Sequence, residues 1–92
     1  MQLKQKYIIT KTGRVIVFSE LLQHKDFKHF EPIRAGFVTF MIEKVEGYFR
    51  VKCNAYGESI SLGLKSDEVE DTRLIKKEIL GYTPWDFDAP QN

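Results

Sequence analysis

Between residues 35 and 64 apolar and polar side chains alternate with period two, and this alternation requires antiparallel strands half-buried on one face. A tight turn at Glu46-Gly47 pairs Ile42 with Val51, Phe40 with Cys53 and Val38 with Ala55. The opposite face then pairs Glu43 with Arg50, Thr39 with Asn54 and Phe37 with Tyr56, so an ion pair falls directly across the strands. A second turn at Gly57-Glu58, a Gly-X loop suited to a type II′ hairpin, sets Ala55 against Ile60, Cys53 against Leu62 and Val51 against Leu64. Two separately placed turns give one apolar face, and a one-residue slip at either would invert it. The expectation is a three-stranded antiparallel meander.

The first third of the chain reads as a second hairpin. Residues 6–11 and 14–18 are β-branched runs flanking Thr12-Gly13. With a two-residue turn there, Tyr7, Ile9, Ile16 and Phe18 share one side and Ile8, Val15 and Val17 the other. Both sides are apolar, so both need cover. Ser19 suits an N-cap for a short helix that starts at Glu20, breaks near Asp26 and resumes for one turn. Glu31-Pro32-Ile33 ends it, because the residue before proline resists the helical region. Ser66 caps a second helix, with Asp67, Glu68, Glu70 and Asp71 in its first turns and Lys76 and Lys77 in its last. Gly81 follows the end, and these charges match the helix dipole. Val69, Thr72, Ile75, Ile79 and Leu80 share a face, and Leu74 lies off it. The fold expected is α+β: an N-terminal β-hairpin, a short helix, the meander, and a C-terminal helix on one sheet face. That face is Val38, Phe40, Ile42, Phe49, Val51, Cys53, Ile60 and Leu62. Residues 1–81 form a single domain, and residues 82–92 an extended aromatic and acidic tail.

Ninety-two residues leave no room for a second domain, and 42% hydrophobic content suffices for one core. The longest apolar stretches run to four residues or so, too short for a membrane span. The opening six residues lack the apolar segment of a secretory signal. A lone Cys53 forms no internal disulfide, which fits a reducing cytoplasm. Charge is uneven: residues 1–34 hold seven basic and three acidic side chains, residues 35–92 seven and ten. Such bipolar surfaces favour solvation or self-association over a nucleic-acid groove.

Chemistry-bearing motifs are weak. His24 and His29, five residues apart, sit about 140° apart on a helix, and Glu20 with His24 supplies one ligand pair at most. Cys53, set between Phe40 and Leu62, reads as an inert core thiol. Gly57-Glu58-Ser59-Ile60-Ser61 starts like a nucleophile elbow but ends in serine and joins two strands. Gly63-Leu64-Lys65-Ser66 resembles a phosphate loop with an extra leucine, and four acids crowd the helix start where phosphate would sit. The acidic residues read as a solvated helix terminus rather than an acid–base pair. No catalytic residue, cofactor or metal is assigned.

What remains is the outer face of the meander: Phe37, Thr39, Met41, Glu43, Val45, Tyr48, Arg50, Lys52, Asn54, Tyr56, Ser61 and Lys65. The candidate binding residues are Phe37, Met41, Tyr48, Arg50, Lys52, Asn54 and Tyr56. Basic groups interleave with aromatics, as on platforms for single-stranded nucleic acid. The same composition is ordinary for a half-solvated sheet, and its apolar members suffice to bury against a protein. Protein contact is the favoured reading. In the tail, Tyr82, Trp85 and Phe87 are candidate contacts that dock on this chain's own surface or a second copy's, rather than forming a free recognition arm. Lys4, Lys6, Lys11 and Arg14 offer the charge complement for Asp86 and Asp88.

The runs Lys6-Tyr7-Ile8-Ile9-Thr10, Val17-Phe18-Ser19, Ala35-Gly36-Phe37-Val38 and residues 56–66 resemble segments of short proteins from gut Bacteroidota and their phages. The likeness covers most of residues 6–80. Those proteins carry no assigned activity, so the resemblance transfers no site residue. It implies a phage or mobile-element origin, where small chains bind host proteins. The expectation is a small non-enzymatic cytoplasmic protein acting through protein contacts, with a second copy or a larger host protein as partner. Single-stranded nucleic-acid binding on the outer sheet face is the alternative, and an enzyme acting on a small metabolite trails both.

Overall fold

A computed structural model describes residues 1–81, without the side chain of Tyr48. The tail expected at residues 82–92 lies outside the described residues. Four antiparallel strands form the main sheet: β1 (Gln2–Thr10), β2 (Val15–Ser19), β3 (Pro32–Val45) and β4 (Tyr48–Tyr56). Their order is β2-β1-β3-β4, so β1 and β3 lie at the centre. A 3₁₀ helix (His24–Phe30) links β2 to β3. A two-stranded excursion, β5 (Glu58–Ser59) and β6 (Leu64–Lys65), links β4 to α1 (Glu68–Glu78). The fold is α+β and mostly sheet.

The register of β3 on β4 is the expected one throughout: Ile42 faces Val51, Phe40 Cys53, Val38 Ala55, and Glu43 Arg50. The third strand beside them is β1, which pairs with β3 from Gln2 opposite Met41 to Thr10 opposite Pro32. Residues 58–64 do not pair with β4. At that edge the Ala55 N–H instead donates to Thr72 Oγ1 of α1 (2.9 Å). After Gly57 the chain crosses the opposite face, where Leu62 and Leu64 pack against Ile8, Phe18 and Ala35. Ile60, expected in the core, is 89% exposed, and Phe49 is 70% exposed.

The N-terminal hairpin forms, but its turn is longer by one residue. The Gly13 N–H donates to the Thr10 carbonyl and the Thr10 N–H to the Arg14 carbonyl, with Gly13 at φ +84°. This is a three-residue loop with glycine in the left-handed position. The extra residue shifts the register by one, so Ile9 faces Val15, Tyr7 Val17 and Ile8 Ile16. Every side chain of β2 therefore lies on the face opposite to the one expected. Tyr7, Ile9, Val15 and Val17 join Val38, Phe40, Cys53, Ala55 and Ile75 in the main cluster under α1. Ile8, Ile16 and Phe18 join the second cluster beneath Phe27, Leu62 and Leu64.

Both helices begin later than their serine signals suggest. Ser19 Oγ accepts from the Leu21 N–H in a local turn, and the 3₁₀ helix starts at His24, where the Asp26 carboxylate accepts from the Gln23 N–H. Asp67, not Ser66, caps α1: its carboxylate accepts from the Glu70 N–H, while Ser66 Oγ donates to the Gly57 carbonyl (2.7 Å). Ile75 is fully buried and Leu74 and Leu80 pack beside it, whereas Val69 is 84% exposed. Gly36 sits where the excursion crosses β3. A Cβ there would lie 2.5 Å from the Tyr56 carbonyl oxygen, so no larger residue fits.

Candidate functional site

The sheet presents two chemically distinct places. The first is buried. Asp71, fully enclosed in the first turns of α1, accepts from Tyr7 Oη (2.7 Å) and the Asp67 N–H (2.9 Å) on Oδ2, and from Arg34 Nε (2.6 Å) on Oδ1. One carboxylate thus ties β1, β3 and the start of α1 together. Burial, with that carboxylate beside it, holds the Tyr7 hydroxyl protonated well above the ordinary tyrosine range. The arrangement satisfies a buried charge with three donors, which is what a structural anchor requires.

None of these three residues stood out as a site in the sequence. Asp71 reads there as one of four acids at a solvated helix start. The available signal was its spacing: four residues before Ile75, it shares the buried helix face. His24 was likewise read as solvated, yet it is buried. Its Nε2 donates to the Gly36 carbonyl (2.8 Å), and its ring meets Phe18 and Phe37 edge-on. Burial, assisted by the charge of Lys6, lowers its pKa against the opposing pull of the Gly36 bond. Cys53 is buried as expected, and burial pushes its thiol up to about 11. Among the described residues no group of three or more His, Cys, Asp or Glu is placed to hold a metal ion.

The second place is the sheet face away from α1. Its Ile8–Phe18–Ala35 end is covered by the 3₁₀ helix and the excursion, and its other end is open. There the strand pairing brings Phe37 opposite Tyr56, Thr39 opposite Asn54, and Met41 opposite Lys52, with Lys4 and Gln2 of β1 alongside. The Phe37 and Tyr56 rings stack at 5.9 Å, and Lys4 Nζ sits 4.7 Å from the Phe37 ring centre. Phe37 is wedged against His24, it and Tyr56 are both half-buried, and Lys4 is exposed beside them. Arg50 is engaged by Glu43 (2.9 Å), as the register demanded, and that bond holds the Glu43 carboxyl below its usual range. Tyr48 lies opposite Val45 at the hairpin tip. Ser61 and Lys65, assigned to this face, belong instead to the excursion. Tyr82, Trp85 and Phe87 lie outside the described residues.

Two depressions occupy the open end. One, about 540 Å³, runs from the Ser19–Leu21 turn across Gln2, Lys4 and Thr39 to Tyr56. The other, about 410 Å³, is lined by Gln2, Thr39, Met41, Lys52 and Asn54. They adjoin at Gln2 and Thr39, and together they carry ammonium, amide and hydroxyl groups with a thioether. No helix among the described residues is long and apolar enough to cross a membrane. No protein-family model matches the chain, no curated protein matches its sequence, and no solved structure matches its fold.

Proposed function

We propose that this chain is a small non-enzymatic binding protein whose open sheet groove takes an extended segment of a partner protein. The observation that carries the reading is that the two depressions lie side by side, with Gln2 and Thr39 lining both. A shallow, mixed-polarity track across three strands suits a peptide backbone with alternating side chains. Lys4 and Lys52 favour a segment bearing acidic residues. Met41, 38% exposed, supplies an adaptable apolar contact.

The test is affinity capture from the native cell with wild type and with a Met41→Asp, Lys52→Glu variant. Both side chains are exposed, so the variant keeps its melting temperature. A partner recovered by wild type and lost by the variant supports the reading. A partner retained by the variant places the contact elsewhere.

Single-stranded nucleic acid on the same face is the second reading, favoured by the Lys4–Phe37–Tyr56 stack. Titration with mixed oligonucleotides at two salt concentrations separates the two. Phosphate contacts weaken steeply as salt rises, and a protein-specific groove binds no oligonucleotide at either.

A further inference from the structure

The two edges of the main sheet differ. At β4 the Ala55 N–H donates to Thr72 Oγ1 of α1. At the other edge β2 is bonded to β1 on one side and to no strand of the described residues beyond it. The Thr10 N–H donates to the Arg14 carbonyl, and along an antiparallel ladder bonded and non-bonded pairs alternate. Ile16 and Phe18 therefore bond inward to β1, and the N–H and C=O groups of Val15, Val17 and Ser19 point outward. The Ser19 carbonyl accepts from the Leu22 N–H, and the others meet no partner among the described residues. Edge strands are commonly blunted by proline, lysine or a bulge, and Val15–Ser19 has none of these.

The residues flanking β2 select what pairs there. Arg14 precedes the strand and Glu20 follows it, both exposed and neither with a charged partner among the described residues. A second β2 laid antiparallel about Val17 sets Val17 against Val17, Val15 against Ser19 and Ile16 against Phe18. The same register brings Arg14 of each copy opposite Glu20 of the other. Centring the pair on Ile16 sets Arg14 opposite Phe18, and centring it on Phe18 sets Glu20 opposite Ile16. Only the Val17 register engages all three outward-facing residues and joins opposite charges at both ends. We propose that two copies of this chain associate β2 to β2 in this register, merging their four-stranded sheets into one. The Val17 N–H of each copy donates to the Val17 carbonyl of the other, and the Ser19 N–H donates to the Val15 carbonyl. β1 separates this edge from β3 and β4, which carry Met41 and Lys52, so the dimer and the peptide-binding reading stand or fall separately.

Light scattering of the full chain over about a hundredfold range of protein concentration gives the mass, which should rise to twice that of one chain. Arg14→Glu and Glu20→Arg each set like charges opposite one another at both ends, and each should raise the dimer Kd on the order of tenfold. Combining Arg14→Glu with Glu20→Arg restores both pairs with their signs exchanged and should return the wild-type Kd. Both positions are exposed, so all three variants should keep the far-UV circular dichroism of wild type. The Val17 amide gives a second readout: it should be protected from hydrogen exchange in the dimer and exchange freely on dilution to monomer. A monomer at every concentration overturns the proposal and leaves the edge open to a strand of another protein. A dimer indifferent to the single charge reversals, or one in which the Val17 amide exchanges freely, overturns it by placing the contact elsewhere.

Discussion

Asp71 is the residue on which the largest single-site effects should fall. Its carboxylate is fully buried and takes bonds from Tyr7, Arg34 and the Asp67 N–H. Asp71→Ala removes the acceptor for all three and leaves Arg34 partly buried without a counter-charge. A loss of about 3 kcal/mol is expected in urea unfolding. Tyr7→Phe keeps the packing and leaves Asp71 two donors, so it should cost about 1.5 kcal/mol. Cys53 contributes a pH dependence whose sign is fixed by its raised pKa. The unfolded thiol ionises near 9.0 and the folded one near 11, so folded protein binds the extra proton between those values. Stability is therefore full below pH 9 and falls from 9 to about 11, and Cys53→Ala should flatten that part of the curve. His24 works on the acid side. Its folded pKa lies below 6.5, so the unfolded state takes up the proton first, and stability falls as pH drops through 6.5. A Phe18→Leu change that admits water beside the ring should reduce this acid slope, measured by the urea midpoint at pH 5 and pH 7.

At the scale of elements, α1 gives a test of which helix face is buried. Ile75→Ala should cost about 2–5 kcal/mol, Leu74→Ala less because it packs only at the cluster edge, and Val69→Ser almost nothing at 84% exposure. The helix was legible from its charges and its terminal glycine. Its cap was not, because Ser66 and Asp67 are both good capping residues, and only the bond from Ser66 to the Gly57 carbonyl decides between them. The β3–β4 hairpin was legible because its whole register follows from one turn and one ion pair. The N-terminal hairpin was half legible. Its strands were visible, but both faces are apolar, so a two-residue and a three-residue loop satisfy the pattern equally well, and the two-residue reading set β2 on the wrong face. Residues 58–64 misled for a related reason. Their alternation is real, yet it serves a cluster on the opposite face, and the edge of β4 they were expected to take is met at Ala55 by Thr72. The open groove was visible as a list of residues. Its two depressions were not, since they depend on β1 lying beside β3, a long-range pairing no local pattern announces.

The whole molecule is a sheet with unequal cover: α1 on one face, the 3₁₀ helix and the excursion at one end of the other, and a long hairpin reaching past both. Stability should follow that cover. Tyr7, Ile8, Ile9, Ala35 and Val38 lie on the two central strands, are fully buried, and are packed from both faces. Their amides can exchange only when the sheet as a whole opens. Around Glu46-Gly47 the hairpin tip has exposed Lys44 and Phe49 as neighbours, and the excursion is held to the sheet by Leu62, Leu64 and the bonds between Ser66 and Gly57. Those segments can open without disturbing the centre. Native-state hydrogen exchange should therefore give the amides of β1 and of residues 35–40 the free energy of global unfolding. Residues 44–49 and 60–63 should exchange at far lower cost and with little dependence on denaturant. Gly36→Ala links the two regions, because the added Cβ pushes on the Tyr56 carbonyl and on Ser66 at the crossing point. In that variant the excursion should exchange faster still, and the central strands should lose protection by the same amount as the global stability falls. Equal protection of the tip and the central strands in wild type would contradict this division of the sheet.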